Sequence, residues 1–170
     1  MSFPLHNMSI HIRPAQPQDV PAMLELVKEL AVFEKEPHAV TVTEEEMHDA
    51  GFGPNPVWFG WVASGPMEDA ASPVVTGGPQ PPIKGMAICY DRYSTWKGRC
   101  LYLEDIVVTE KSRGKGIGEA LMRTCIAHAR QHGYALMRWQ VLDWNTDAIR
   151  FYQRFGAQFD NGWVNVDLVG

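Results

Sequence analysis

Residues 106–121 read Ile-Val-Val-Thr-Glu-Lys-Ser-Arg-Gly-Lys-Gly-Ile-Gly-Glu-Ala-Leu, and the order of predicted elements is clearest here. Its first residues end an apolar run over 100–108, which is typical of a β-strand. Glycines at 114, 116 and 118 follow, and apolar residues then recur from Ile117 at the spacing of a helix. We therefore predict a strand, a glycine-rich turn and a helix, in that order.

The turn from Arg113 to Gly118 has the properties of a phosphate-binding loop. Its glycines allow close approach to the backbone, N–H groups converge at the start of a helix, and Arg113 and Lys115 add positive charge. It is not a Walker loop, because neither Ser nor Thr follows the Gly-Lys pair, and its glycine spacing is not that of a dinucleotide-binding turn. A glycine-rich turn with no ligand is the structural alternative, and the residues alone leave both open.

Outward from this stretch, the chain alternates between predicted strands and helices. On the N-terminal side, Lys84–Tyr90 and Cys100–Val108 are strands that a moderately long loop, Asp91–Arg99, joins into an antiparallel pair. On the C-terminal side, Gly133 ends the helix that starts at Ile117. The predicted elements that follow are a strand over Leu136–Leu142, a helix over Asn145–Phe155 that ends at Gly156, and a last strand over Trp163–Val169.

The first third of the chain also begins with a strand, predicted over Ser9–Arg13. Asp19 is the predicted cap of a helix that ends near Pro37 and has one apolar face, made by Val20, Met23, Leu24, Val27, Leu30 and Ala31. A capping-box pattern over Thr43–Glu46 predicts a second helix, which stops at Gly51. A strand over Trp58–Ala63 is predicted next.

The composition favours one domain over residues 1–170. The chain has 170 residues, 45% of them apolar, which is enough for one core and too few for two. Residues 1–8 are expected to form a disordered N-terminal extension. Residues 64–82 are rich in proline and glycine, and we interpret them as a long surface loop within the domain, not as a boundary.

Charge and hydropathy exclude some classes of partner. The formal net charge of −5 disfavours binding along a nucleic-acid backbone and favours small cationic partners. No run reaches the roughly 18 apolar residues of a membrane span, and the first residues do not resemble a secretion signal. We therefore expect a cytoplasmic protein that binds neither nucleic acid nor membrane.

Cysteine and histidine provide weaker signals. Cys89, Cys100 and Cys125 are odd in number and have apolar neighbours, so buried packing is expected in place of a disulfide or a catalytic thiol. His128 and His132 are four residues apart on one predicted helix, but no third ligand is evident. Their position near a helix C-terminus, where the helix dipole favours positive charge, is the simpler explanation, and no metal is expected.

The sequence resembles the GNAT superfamily of N-acetyltransferases along almost its whole length. The resemblance to the superfamily as a whole rests on three features in order: the strand that ends at Val108, the Arg-Gly-Lys-Gly-Ile-Gly turn, and the segment Asn145–Gly156. Further matches indicate the diamine acetyltransferase group, and two of these, Tyr93–Arg99 and Leu142–Asn145, are most similar to its thialysine acetyltransferase branch. The other matching segments are Ile12–Ala15, Lys28–Ala31, Gly51–Gly53 and Leu101–Asp105.

This resemblance implies the α/β GNAT fold, with a single mixed β-sheet that is splayed between its fourth and fifth strands and flanked by helices. It also implies acetyl-CoA in the resulting cleft, and commonly a homodimer. The residues expected to bind acetyl-CoA are Ile106, Val107, Val108, Arg113, Gly114, Lys115, Gly116, Ile117, Gly118, Asn145 and Tyr152.

The resemblance places the amine acceptor near Glu34, Ser94, Trp96 and Glu104. Ser94 stands where the polyamine branch has an acidic residue, which disfavours long polyamines as substrates. For Glu34, a solvated charge beside Lys35 is the structural alternative. Two departures from the family pattern, the 64–82 insertion and the short 158–162 segment, are expected to reshape the acceptor end.

Two residues are candidates for proton transfer. Glu104 is the predicted base that deprotonates the amine, directly or through water, and a strand-edge carboxylate in a salt bridge is its alternative. Tyr152 is the predicted acid, because a phenol with a pKa of about 10 can protonate a thiolate whose acid has a pKa of about 8.5. Its alternative is packing with Phe151 and Phe155. N–H groups near Val107 and Val108 would polarise the acetyl oxygen.

Three functions from different classes remain. The predicted one is acetyl transfer to a primary amine of a small diamine- or lysine-like acceptor, in a direct ternary complex. A catalytically weak module with the GNAT fold that binds coenzyme A or a protein is disfavoured by the presence of Glu104 and Tyr152. A nucleotide-binding oxidoreductase would require a parallel sheet, which the predicted antiparallel pair disfavours.

Overall fold

The computed structural model describes residues 10–65 and 81–168, and it divides the chain into two compact units, residues 1–139 and 140–170. The strands of the first unit are β1 (His11–Pro14), β2 (Phe59–Ser64), β3 (Ile83–Ser94), β4 (Gly98–Val108) and β5 (Leu136–Arg138). Its helices are α1 (Val20–Phe33), α2 (Glu44–Phe52) and α3 (Ile117–Gln131), with short 3-10 turns at Pro17–Asp19 and Glu110–Ser112. The second unit contains α4 (Thr146–Gln153).

The five strands form one mixed sheet in the order β1-β2-β3-β4-β5. The first four are antiparallel neighbours, and β5 runs parallel to β4. This mostly antiparallel arrangement excludes the parallel sheet of a nucleotide-binding oxidoreductase. The pairing of β5 covers only Cys100–Tyr102, and β4 continues six residues further to Val108. The pairing between the fourth and fifth strands is therefore short, as the expected splay between them requires.

Helices α1 and α2 cover one face of the sheet. Apolar side chains of both helices pack there against strands β2, β3 and β4, in a cluster of Val20, Met23, Leu24, Leu26, Met47, Val62, Met86, Ile88 and Val107. The predicted apolar face of α1 supplies most of the helical half of this cluster. Helix α2 starts at the predicted capping box, in which the Thr43 hydroxyl accepts the Glu46 N–H and the Glu46 carboxylate accepts the Thr43 N–H.

Helix α3 lies on the opposite face. Its Cys125 sulfur is 3.9 Å from the sulfur of Cys89, which follows the α1-facing Ile88 in β3 and so points the other way. All three cysteines are buried free thiols, which confirms the packing interpretation. The hydrogen bond with the Cys125 sulfur and then burial raise the pKa of Cys89, which makes this thiol a poor nucleophile.

Several predicted boundaries differ from the structure. The predicted 91–99 loop is wrong, because β3 and β4 extend through it and leave only residues 95–97 as the turn. Helix α1 ends at Phe33, ahead of the predicted end near Pro37, because the chain turns sharply at Lys35. Asp19 does precede α1, but its carboxylate accepts from the Gln16 N–H and pairs with Arg13, so it does not cap the helix through its side chain.

The predicted last strand is also wrong. Residues 159–168 contain no strand, and the apolar side chains of Trp163, Val164, Val166 and Leu168 are all exposed. An alternating apolar pattern becomes a strand only when a neighbour pairs with its backbone, and none does so in the part of this unit that the structure describes. The predicted extension over 1–8 and most of the 64–82 loop lie outside the described residues.

Across residues 10–65 and 81–168, no helix combines the length and the apolar character needed to cross a bilayer.

Candidate active site

Strand β4 contains a β-bulge at Glu104. Ile88 of β3 pairs with Asp105, whereas the next residue, Cys89, pairs with Leu103, so Glu104 is the extra residue in the ladder. Directly paired residues share a face of the sheet. Leu103 therefore faces α3 with Cys89, and Asp105 faces α1 with Ile88. The bulge interrupts the alternation of faces at the position where the chain carries two consecutive carboxylates.

Three carboxylates, Glu34, Glu104 and Asp105, form an acidic cluster on the α1 side of the sheet. Burial, followed by the nearby charges of Glu104 and Glu34, raises the pKa of Asp105 to about 6. Burial also raises the pKa of Glu34, which directly follows the last residue of α1. Neighbouring negative charges oppose ionisation unless a cation lies between them. The acidic cluster is therefore suited to an ammonium group.

Tyr90 and Tyr102 lie beside Glu104. Their rings stack with centroids 5.0 Å apart, and they occupy directly paired positions of β3 and β4. Burial and then the charge of Glu104 raise the pKa of both phenols, and a hydrogen bond with Glu104 also raises that of Tyr90. The Glu104 carboxylate thus has a phenol donor and an aromatic wall next to it, which orient a base while leaving it exposed on its other side.

Sequence reasoning missed Asp105 and Tyr90 as members of this site. Strict alternation along a strand puts Asp105 on the face opposite Glu104, and only the pairing register reveals the bulge that changes this. The one available signal was the pair of adjacent acidic residues within an apolar strand, which is unusual for a buried sheet. Tyr90 had no signal beyond its place at the predicted end of a strand.

The glycine-rich turn has the backbone conformation of an anion cradle. Gly114 and Gly116 have φ angles of 73° and 79°, in the left-handed region that favours glycine. A Cβ added to either would meet no atom within 4 Å, so open space lies in front of both. Gly116 is also the N-cap of α3, where N–H groups of the first turn point out of the helix. These residues fit a pyrophosphate group.

The exposed edge of β4 continues this cradle. Beyond Tyr102, the strand no longer pairs with β5, while on its other edge Asp105, Val107 and Val108 keep their partners in β3. Backbone groups of a strand point alternately to its two edges, so some N–H groups between 103 and 108 face the splayed side. Ile106, Val107 and Val108, which the sequence assigned to acetyl-CoA, lie along this stretch.

Two cations of the turn, Arg113 and Lys115, were expected to add positive charge. The Arg113 side chain turns back toward the protein: its Nε donates to the Val108 carbonyl over 3.1 Å, and its guanidinium carbon lies 5.4 Å from the ring centre of Phe33 in α1. Arg113 is 46% exposed, so one side of it still faces solvent. In the structure, Arg113 therefore stabilises the turn through its contacts with Val108 and Phe33.

Ser94 and Trp96 lie at the tip of the β3–β4 hairpin. The Ser94 hydroxyl accepts the N–H groups of Trp96 and Lys97, at 3.3 and 3.2 Å, and so stabilises the turn. Trp96 is 83% exposed. The structure gives Ser94 a local hydrogen-bonding role, and its role toward an acceptor stays a prediction.

Asn145 and Tyr152 belong to the second unit. The Asn145 side chain caps α4 by accepting the Ala148 N–H over 3.2 Å. Tyr152 is buried, and its ring contacts that of Phe151 edge to face with centroids 5.3 Å apart. The predicted seven-residue spacing thus places both residues on one short helix, Asn145 at its start and Tyr152 near its end.

The two histidines of α3 belong to an aromatic cluster. The rings of His128 and His132 stack with centroids 4.0 Å apart, and His128 also contacts Trp61 and Phe59 of β2. Burial and the neighbouring His132 lower the pKa of His128. In residues 10–65 and 81–168, no group of three or more potential metal-ligating side chains comes together. This cluster lies on the α3 face, opposite the acidic cluster.

Comparison with protein families gives a match over most of the folded chain. The Acetyltransferase (GNAT) family model matches residues 44–157, a range that includes the bulged strand, the glycine-rich turn and α4.

Individual proteins are similar over almost the full length. A thialysine N-epsilon-acetyltransferase of Mus musculus is 37% identical over 168 residues, which cover 95% of this chain and 94% of that protein. An L-ornithine N5-acetyltransferase of Arabidopsis thaliana is 29% identical over 197 aligned positions, covering 97% of this chain and 86% of that protein. Among solved structures, an aminoglycoside acetyltransferase from an uncultured soil metagenomic sample has a TM-score of 0.70 at 15% identity, with 98% and 99% of the two chains covered.

Proposed function

Since this chain belongs to the acetyltransferase (GNAT) family and is an N-acetyltransferase, we propose that its donor is acetyl-CoA and its acceptor a primary amine of a small diamine- or lysine-like molecule. Transfer is direct, within a ternary complex of enzyme, donor and acceptor. The acidic cluster of Glu34, Glu104 and Asp105 is the observation that carries this proposal, because it suits a cationic amine and not a neutral or anionic acceptor.

The glycine-rich turn and the edge of β4 supply the proposed donor site. Backbone N–H groups at the start of α3 would bind the pyrophosphate, with Gly114 and Gly116 leaving room for it. Bound acetyl-CoA supplies an activated thioester. N–H groups near Val107 and Val108, on the part of β4 that β5 does not cover, would hydrogen-bond to the acetyl oxygen and stabilise negative charge there.

Glu104 is the proposed base. A lysine-like ammonium has a pKa of about 10.4, so removing its proton near pH 7.4 costs about 4 kcal/mol. A carboxylate that accepts this proton, directly or through one water, lowers that cost at the moment of attack. Glu104 is exposed on the acidic side of the sheet and is oriented by Tyr90, which supports this role.

Asp105 and Glu34 would anchor the positive charge of the acceptor. Both carboxyl groups have raised pKa values, and an ammonium beside them would favour their ionised forms. Tyr152 is the proposed acid that returns a proton to the departing sulfur. Its support is its residue type and its place in the family resemblance.

The acceptor is proposed to be short. The relatives named above act, by their names, on thialysine and ornithine, each of which carries an amine at the end of a short chain. Ser94 stands where the polyamine branch has an acidic residue, and this difference also favours a short acceptor. Asp105, which the sequence analysis did not assign to the acceptor, adds a second carboxylate near Glu34.

An acetyl-transfer assay against a panel of acceptors tests this function. The panel contains thialysine, lysine, ornithine, short diamines, spermidine, spermine and a lysine-containing peptide, each with acetyl-CoA. We expect the highest kcat/KM for a lysine-like amine or a short diamine. A protein that binds coenzyme A but acetylates no member of the panel would support the binding-module alternative.

The cellular setting is part of the proposal. Three buried free thiols are typical of a reducing compartment, which supports a cytoplasmic location. Exposed apolar side chains in residues 163–168 support self-association as a homodimer.

A further inference from the structure

The connection between β4 and α3, residues 109–116, carries the proposed pyrophosphate site and is short of local support. It consists of one 3-10 turn, Glu110–Ser112, followed by the glycine-rich turn. Thr109 occupies the N-cap position of the 3-10 turn but makes no capping hydrogen bond through its side chain. The first N–H group of such a turn needs an acceptor from elsewhere.

Glu29 of α1 supplies that acceptor. Its Oε1 atom accepts the Glu110 N–H over 2.7 Å, a contact between residues 81 positions apart in the chain. A carboxylate that accepts a backbone N–H makes one of the stronger hydrogen bonds in proteins. Helix α1 therefore caps the 3-10 turn from the outside.

The same helix face also positions Arg113. The Arg113 Nη2 atom lies 4.0 Å from Glu29 Oε1. The Arg113 guanidinium lies over the ring of Phe33, which is one helical turn further along α1. Residues four apart on a helix are neighbours on its surface, so Glu29 and Phe33 form one contact surface for this side chain. With Arg113 Nε bound to the Val108 carbonyl, α1, β4 and the turn are tied together at one point.

We propose that Glu29 is a positioning residue for the pyrophosphate-binding turn, and that it links this turn to the helix that ends beside the acceptor anchor Glu34. The inference rests on the proposed function, because it assumes that residues 113–118 bind coenzyme A. Glu29 touches neither substrate. It acts by fixing the backbone at Glu110 and the side chain of Arg113.

Removal of the Glu29 charge should change the affinity for coenzyme A in opposite directions for a positioning role and for a purely electrostatic role. Glu29 partly neutralises Arg113, so a purely electrostatic role predicts that removal of its charge strengthens binding of the anionic coenzyme. A positioning role predicts the reverse, since an unanchored turn must be ordered when the ligand binds. The exposed fractions of the two side chains, 33% for Glu29 and 46% for Arg113, keep the direct charge effect small.

The experiment compares Glu29→Ala, Glu29→Gln and the control Glu25→Gln. Glu25 lies one turn earlier on α1, is 71% exposed and pairs only with Lys28 among the described contacts, so its change removes the same charge from the same helix. For each full-length protein, calorimetry gives the Kd of coenzyme A, steady-state kinetics give kcat and both KM values, and thermal unfolding gives Tm.

We expect Glu29→Ala to raise the Kd of coenzyme A and the KM of acetyl-CoA by about tenfold, with kcat and the acceptor KM changed by less than about twofold. Glu29→Gln keeps an oxygen that can accept the Glu110 N–H, but through a weaker, uncharged hydrogen bond, so it should raise the Kd of coenzyme A by about threefold. Glu25→Gln should leave this Kd unchanged. If Glu29→Ala does not fold, the comparison of Glu29→Gln with Glu25→Gln still decides the sign.

Three outcomes would overturn the inference: Glu29 variants that match Glu25→Gln in Kd, tighter binding by Glu29→Gln, or equal losses for donor and acceptor. A wild-type protein that does not bind coenzyme A would overturn the proposed function itself. The two failures are therefore distinguishable.

Discussion

The raised pKa of Asp105 makes this residue a source of instability at neutral pH. Burial and the nearby carboxylates Glu104 and Glu34 raise the pKa of Asp105 to about 6 from an ordinary value of 3.8. For a carboxyl group whose folded-state pKa is raised, the penalty on folding is complete above that pKa and disappears below the ordinary value. Such strain is common where a site must attract an opposite charge.

Asp105→Asn should therefore stabilise the protein and impair its function. At about pH 7.5, we expect the free energy of unfolding to rise by about 1–3 kcal/mol, and this gain should vanish near pH 4. The KM for a cationic acceptor should rise. Thermal unfolding at the two pH values and steady-state kinetics measure these effects. Asp147→Asn, at a position 93% exposed, is the control, and an equal Tm gain there would contradict the assignment.

Tyr152→Phe tests the proposed acid. The change removes one hydroxyl group and keeps the ring that packs beside Phe151, so stability should change little. We expect the acetyl-transfer rate to fall by about a hundredfold with an unchanged Kd for coenzyme A, since that is the usual contribution of a general acid. Single-turnover kinetics measure the step. A decrease of less than about fivefold would return Tyr152 to a packing role.

Ser94 tests the choice of acceptor. An aspartate at this position can still accept the N–H groups of Trp96 and Lys97, so the hairpin turn should persist. We expect Ser94→Asp to shift the kcat/KM ratio of spermine to lysine-like acceptors by about tenfold toward spermine. Ser94→Ala, which loses the turn bonds without adding charge, should leave this ratio unchanged. A wild-type enzyme that already prefers spermine would contradict the idea.

At the scale of elements, local chemistry made some features predictable. The capping box at Thr43 and the glycine-rich turn before α3 depend on residues close in sequence, and both are found as predicted. The bulge at Glu104 and the length of the β3–β4 hairpin depend on how two strands pair, which a strand's own residues do not specify. The predicted strand over 163–169 failed for the same reason.

Helix α1 ends in a conformation that costs free energy. Lys35 has a φ angle of 66°, and the Glu36 N–H returns to the Ala31 carbonyl, which is the helix ending that usually places glycine in this position. Glu34 of the acidic cluster directly precedes it. The turn at Lys35 therefore sets the orientation of Glu34. A lysine adopts this backbone conformation less readily than a glycine does.

Gly116 tests the turn as a ligand site. Gly116→Asn and Gly116→Val both place a side chain in the open space, and both should raise the Kd of coenzyme A at least about tenfold. Asparagine tolerates a φ of 79° better than a β-branched residue, so only the valine variant should also lose about 1–2 kcal/mol of stability. Calorimetry and thermal unfolding separate the two effects.

The matched control for this comparison is Gly133→Asn. Gly133 follows α3, has a φ of 66° and also faces open space, but it lies at the other end of the helix. Its variant should leave the Kd unchanged. Unaltered affinity in a folded Gly116→Asn protein would remove the pyrophosphate assignment.

At the scale of the whole molecule, the exposed apolar residues of the second unit predict self-association. Trp163, Val164, Val166 and Leu168 are between 73% and 99% exposed, which is unusual for a chain that acts alone. Light scattering after size-exclusion chromatography should give about twice the chain mass of 19.1 kDa. Val166→Asp should shift this to the single-chain mass, whereas Asp147→Asn should not. A wild-type protein of single-chain mass at high concentration would contradict the homodimer.

The bulge in β4 also determines how the gene tolerates small deletions. Loss of one residue from a regular strand turns all the side chains on one side of the gap to the wrong face. Loss of Glu104 would leave every other side chain on its present face. Without Glu104, Leu103 and Asp105 become adjacent in the strand, and they already face opposite sides of the sheet. Among the 11 codons of this strand, that of Glu104 is thus the one whose in-frame loss would remove the proposed base and keep the sheet. A lineage could pass from enzyme to coenzyme-binding protein by this single event.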